Sequence, residues 1–289
     1  MSQSAAENLA PLTQPDIYGY HDYREFLRDW LAHLKSAHGL STRKIAKSSS
    51  VSESYLSMVL NGTRRLSIEQ LDKLATALKL ERSEHSYLQW LITVTDADSP
   101  EDQLEALKKI QRFRQYQNLN PLEIETYRYL QHWYHVAIRE LAQLPDFQLD
   151  PKWIQSRLRY KVSLGEIKSA VDFLVEHGFL SSSGEGKVAK PEKLVQCKTG
   201  VLKPALTKFH SEMLMLASNS ITEVPSEERN ISAYTCALPE DQLAAARLIL
   251  EEARAKIVAL SQAHESNSDQ VFHFGFLAFP LTKKAGESS

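Results

Sequence analysis

Two short helical stretches, 41–47 and 52–60, flank the turn Ser48-Ser49-Ser50-Val51; Gly39 ends the helix before them and Asn61-Gly62 stops the second. Helices this short are marginal on their own, so they persist only when packed against each other and against neighbouring helices. The residue choices suit that requirement. Ile45 and Ala46 sit where the second stretch must cross closely, Val51 is placed to bury the turn, and Leu56 and Val59 face inward.

The neighbours are legible in the same way. Tyr23, Phe26, Leu27, Trp30, Leu31 and Leu34 form one apolar stripe of a preceding helix. Ser67 with Gln70 three residues on is a capping-box pattern, opening a helix that carries Leu71, Leu74, Ala75 and Leu78. A fifth helix starts near Ser83, with Tyr87, Leu88, Leu91 and Val94 inward. Two short helices joined by a tight turn within five helices are expected to form a helix-turn-helix domain over 17–95, behind a loose tail at 1–16.

Charge points to the partner. The chain has 34 basic and 36 acidic residues, net −2, but nine basic and four acidic residues fall within 35–82. That stretch is net +5 and the remainder −7. A basic segment on a near-neutral chain points to an anionic partner for that segment alone. Glu53, Ser54, Tyr55, Ser57 and Met58 are expected on or near the outer face of the second helix, which Ser52 caps. Thr42, Arg43, Lys44, Lys47, Asn61, Thr63, Arg64 and Arg65 surround it, placed to meet phosphates on either side of a DNA major groove.

LSTRKIAKSSSVSESYLSMVLNGTRRLSIEQLDKLATALKL, 40–80, resembles the helix-turn-helix of the phage-repressor (Xre/Cro) class. The resemblance places Thr42 where that class has a phosphate-binding glutamine, and Glu53, Ser54 and Met58 at its base-reading positions. These three depart from the usual Arg, Lys, Gln or Asn. A carboxylate accepts only from cytosine N4, and Met offers only apolar contact to a thymine methyl, so readout of DNA shape is expected to carry more of the specificity. Over 20–282 the chain is similar to a large paralogous bacterial family that places an uncharacterised domain behind a repressor-type helix-turn-helix, and WYHVAIRELAQLPDF and VFHFGFLAFPLT carry that likeness. Its members are assumed to be transcriptional regulators.

The polar break TDADSP, 95–100, separates this domain from a C-terminal domain over 100–289. Leu104, Leu107 and Phe113 mark one helix, and a second is expected from 122 to 144, closed by Pro145. Residues 150–195 read as a winged-helix-like unit. A helix with Trp153, Ile154 and Leu158 precedes one opened by the capping box of Ser163 and Glu166, and SSSGEGKVAK supplies a tight ribbon. Glu166, Asp172 and Glu176 against Lys168 alone argue for a scaffold role there rather than a second DNA reader. Strands around 231–238 and 271–279, with a helix between, suggest a β-α-β unit at the C-terminus. The expected fold is thus mainly α with small β elements: a five-helix domain, a helical linker, a winged-helix-like unit and the β-α-β unit.

Several classes are disfavoured. The longest apolar stretch, 274–281, is eight residues, whereas a spanning helix needs about 20. The N-terminus has no basic residue before an apolar run, and Cys197 and Cys236 have no ligand spacing, so a cytoplasmic protein without structural zinc is expected. His132 and His135, three apart on a helix, have no partner set for a metal. No nucleotide, hydrolase or metalloprotease motif is present, so neither an enzyme nor a cofactor is expected. The expected function is DNA-binding transcription regulation. The partners are double-stranded DNA and a second copy of the chain, with a small-molecule or protein effector at the C-terminal domain. The competing reading is a protein-interaction adaptor whose helix-turn-helix no longer reads DNA.

Overall fold

In a computed structural model, residues 14–182, 188–189, 202–263 and 268–283 are described. Most of the expected 1–16 tail, the glycine turn of the expected ribbon and Cys197 lie outside them. Contacts divide the chain into two compact units: 1–131 with 195–212, and 132–194 with 213–289.

The first unit begins with a 3-10 turn, Ile17–Gly19, and continues through α1 (Tyr23–His38), α2 (Thr42–Ser48), α3 (Glu53–Leu60), α4 (Ile68–Leu78) and α5 (Arg82–Asp96). Each start has a local cause. Asp22, Ser41, Ser52 and Ser67 each accept a backbone N–H of the first turn of α1, α2, α3 and α4, and the Glu84 carboxylate accepts the Glu81 N–H at 2.8 Å to open α5. Gly39 ends α1 in the left-handed conformation, φ 65°. The stripe from Tyr23 to Leu34 is buried together with Leu56, Val59, Leu71, Leu74, Tyr87 and Leu91.

The same core continues into α6 (Pro100–Ile110), α7 (Arg114–Leu119) and α8 (Pro121–Leu130). Leu107, Ile110 and Tyr116 are fully enclosed, and the Tyr87 ring meets Phe113 edge-on at 5.3 Å. The stretch expected as a helical linker is therefore packed against α5. The single helix expected over 122–144 is two. Its chain breaks at His132, which is extended (φ −138°, ψ 133°), so that Tyr127 enters the first core while Tyr134 and Ile138 enter the second.

The second unit holds α9 (Trp133–Leu141), α10 (Pro151–Arg157) and α11 (Leu164–Glu176). Ile138, Ile154, Ile167, Ala170, Leu174, Phe179 and Leu180 form its core. The Ser163 capping box is complete: Ser163 Oγ accepts from Glu166 N at 3.3 Å and Glu166 Oε2 accepts from Ser163 N at 2.9 Å. The Ser163 hydroxyl, which donates to Glu166 Oε2 at 2.6 Å, and the Ser163 N–H together hold the Glu166 carboxyl below the usual carboxylate range. His135 is buried against Phe173, ring centroids 5.3 Å apart, and the His132 ring stacks on Tyr134 at 5.0 Å. Among the described residues no cluster of His, Cys, Asp or Glu is arranged to hold a metal.

The expected β content is overturned. Among the described residues the only strand pairing is β1 (Ser181–Ser182) with β2 (Val188–Ala189), antiparallel and two residues each, too short for a wing. The β-α-β unit is absent: 231–238 and 271–279 form no strand. Their β-branched and aromatic residues favour a strand, but that preference is realised only against a neighbouring strand, and the described chain offers none. α12 (Lys203–Glu223) buries only Pro204 and Ala205, and α13 (Leu243–Ala263) buries no residue. The chain is accordingly helical. Its C-terminal elements are tied back by polar contacts: Tyr160 Oη donates to Leu216 O at 2.9 Å, Arg157 to Asp269 O at 2.7 Å, and Arg159 pairs with Glu228 at 2.5 Å.

Candidate nucleic-acid interface

α2 and α3 pack on each other, α3 also on α1, and α2 also on α4. Between them Ser49 is buried, its hydroxyl donating to Ile45 O at 2.8 Å, and Val51 N donates to Ala46 O at 3.1 Å. Ser50 takes the left-handed conformation with φ 57°, which costs an L-residue about 1–2 kcal/mol. Its side chain is exposed. Ser50→Gly is therefore expected to stabilise the domain by about 0.5–1 kcal/mol, after allowing for the greater unfolded-state freedom of glycine, as a higher denaturant midpoint.

α3 is held on three sides. Its inner residues Leu56 and Val59 are fully buried. Ser52 Oγ caps it by accepting from Tyr55 N at 3.1 Å. At its other end Arg28 of α1 donates to Leu60 O at 2.8 Å, a cation on the negative pole of the helix. Met58 O accepts from both Thr63 N and Arg64 N, at 3.0 and 3.2 Å, folding 61–65 back over the end of α3. Gly62, with φ 76°, makes that reversal.

The outward residues divide into two kinds. Ser52, Glu53, Ser54, Ser57 and Met58 are exposed on α3, as are Asn61, Thr63 and Arg64 beyond it, while Arg43, Lys44 and Lys47 are exposed on α2 and Thr42 is half-buried. Tyr55 is different. It is half-buried against the core, and its hydroxyl donates to Arg65 O at 2.9 Å and accepts from Ser67 N at 3.4 Å. It braces the loop between α3 and α4.

Among the described residues Arg43, Lys47 and Arg64 have no carboxylate partner, and Lys44 Nζ donates only to Gly39 O, at 3.1 Å. Arg65 by contrast pairs with Asp98 at 2.6 Å, and that hydrogen bond holds its guanidinium all the more firmly protonated. Four uncompensated cations therefore lie beside a short exposed helix face, with a fifth tied to a carboxylate that competes with any phosphate. Sequence reasoning missed Arg28 and Asp98. Each acts across more than 30 positions of chain, on Leu60 and Arg65, and no local pattern marks such a pair.

Two family models match this chain. Residues 27–88 match a helix-turn-helix domain, HTH_31, which spans α2, the turn and α3. Residues 113–281, more than half of the chain, match a domain of unknown function, DUF4423. The chain belongs to the DUF4423 family. It fuses that domain to an N-terminal helix-turn-helix, and the latter supports a DNA-binding regulator. The DUF4423 match begins within the first compact unit, at Phe113 beside Tyr87, and runs to Leu281. Neither a curated protein nor a solved structure matches the chain. Among the described residues no helix is long and apolar enough to cross a membrane.

Proposed function

We propose that this DUF4423 protein is a transcriptional regulator of the phage-repressor (Xre/Cro) type that lays α3 in the major groove of double-stranded DNA and binds as a dimer through its C-terminal half. One observation carries the reading: the exposed row Glu53, Ser54, Ser57 and Met58 is bordered by the uncompensated cations Arg43, Lys47 and Arg64. Cations at that border meet phosphates and set register, and the row between them meets base edges.

Each reader has a defined chemistry. Glu53 accepts from a cytosine N4 amino group, Met58 packs on a thymine methyl, and Ser54 and Ser57 donate or accept. Thr42, Lys44, Asn61 and Thr63 add neutral and charged phosphate contacts. Tyr55 acts indirectly, by fixing the Arg64–Arg65 loop. With few bidentate readers, DNA shape supplies part of the specificity.

Selection of bound fragments from genomic or random DNA tests the reading. The expected product is a roughly two-fold symmetric site whose halves lie one helical turn, about 34–36 Å, apart. Uniform recovery of all fragments would leave the adaptor reading in its place.

A further inference from the structure

The end of the second unit keeps more apolar surface in water than an isolated chain tolerates. α13 is apolar on two faces, with Leu243, Leu250 and Ile257 along one and Leu248 and Ala255 along the other, yet none of its residues is buried. Arg247, Glu251, Glu252, Arg254 and Lys256 take the remaining directions, and apolar stripes of this kind on a helix ordinarily pack against a partner. Beside it in sequence lie 230–238 and 270–282, which contain no Asp, Glu, Lys or Arg. Tyr234 is 90% exposed, Phe279 71% and Leu248 65%. Among the described residues no backbone–backbone hydrogen bond reaches 230–238 or 274–282. Unpaired backbone of that kind is a template for another chain.

From this surface we infer that α13 and the two uncharged segments form the dimer interface, each covered by the same elements of a second copy. The amount of surface fits. The exposed leucine, isoleucine and aromatic side chains of 231–281 leave on the order of 1,000 Å² of apolar area per chain, against about 800 Å² per partner in a stable interface. The chemistry selects the occupant. The two segments without charge offer no complement to an acidic or basic partner, and on α13 Glu251 and Glu252 stand among Arg247, Arg254 and Lys256, so the helix lacks the uniformly basic polar face that an anionic membrane surface calls for. Two uncharged segments with unpaired backbone groups, beside a helix that carries both signs of charge, make a surface complementary to itself, which is what a two-fold interface requires. The inference deepens the regulator reading by assigning its dimer surface, and it is tested without DNA.

The full chain at micromolar concentration is expected to sediment at twice 32.8 kDa. Leu248→Glu with Phe279→Glu places two carboxylates on the patch and is expected to weaken the dimer about 100-fold or more, giving a single-chain mass while the helical circular dichroism is retained. Should that variant misfold, amide exchange on the native chain decides: 230–238 should be better protected at high protein concentration than at low. A native chain of single mass, a folded double variant that stays dimeric, or exchange independent of concentration would each overturn the inference, including the case in which a different protein covers the patch. A dimer that selects no DNA sinks the regulator reading alone, and a monomer that selects an operator sinks this one alone.

Discussion

Replacing Arg43, Lys44, Lys47 and Arg64 together by alanine is expected to weaken DNA binding about 100- to 1,000-fold at physiological salt. The reason is counterion release. Each neutralised phosphate contributes about 0.9 to the slope of log affinity against log salt, so four lost cations flatten that slope by about 3.6. The four side chains are exposed, and the Lys44 hydrogen bond to Gly39 O lies on the surface, so the fold should survive the change. Titration of a labelled operator at several salt concentrations gives both numbers. Arg65→Ala serves as the internal comparison: its guanidinium is already engaged by Asp98 at 2.6 Å, so its loss should cost less than that of Arg43 or Arg64. Equal losses at all of these positions would mean that the Arg65–Asp98 pair opens on DNA. An unchanged slope in the fourfold variant would place the DNA face elsewhere.

Trp30→Ala is expected to produce the largest loss of stability. Trp30 is almost fully buried between Phe26, at 5.5 Å ring to ring, and the rest of the α1–α4 core, and its indole N–H donates to Leu78 O at 2.8 Å. Truncation empties that space and leaves a buried carbonyl without its donor. Large aromatic-to-alanine changes of this kind cost about 3–5 kcal/mol, which lowers Tm by about 10–20 °C in a unit of this size. Trp30→Phe separates the two contributions. It keeps most of the apolar volume and removes the hydrogen bond, so it should cost markedly less than the alanine variant. Calorimetry of both variants checks the order. Because α1 also carries Arg28 to the end of α3, the alanine variant should lose DNA affinity at temperatures where the wild-type chain is still folded.

The parts of this fold that were legible are those with local causes. Ser41, Ser52, Ser67 and Ser163 sit at helix starts because a side-chain oxygen there satisfies a first-turn N–H, and Gly39 sits at a helix end because its φ is positive. Those signals, with the apolar stripes, placed α1–α5 and α11 closely. The candidate DNA face was legible for the same reason, since exposure on α2 and α3 follows from the positions of Ile45, Leu56 and Val59.

What failed depends on partners distant in the chain. The residues of 271–279 are aromatic-rich, as strand residues often are, but a strand exists only when another pairs with it. The break at His132 follows from two cores claiming Tyr127 and Tyr134, and no Pro or Gly announces it. Tyr55 looks like a reader from its place on α3, whereas its hydroxyl is engaged by Arg65 O and Ser67 N, which only the folded loop brings near. The Arg65–Asp98 pair is equally invisible to any local pattern.

Base preference shows whether α3 reads DNA. Sites selected from a random library by the wild-type chain are compared with those selected by Glu53→Gln and by Met58→Gln. Glutamine pairs with adenine N6 and N7, so each variant should change the preferred base at one position in each half-site and leave the other positions alone. Identical preferences in all three proteins, with affinity intact, would show that α3 does not touch the bases.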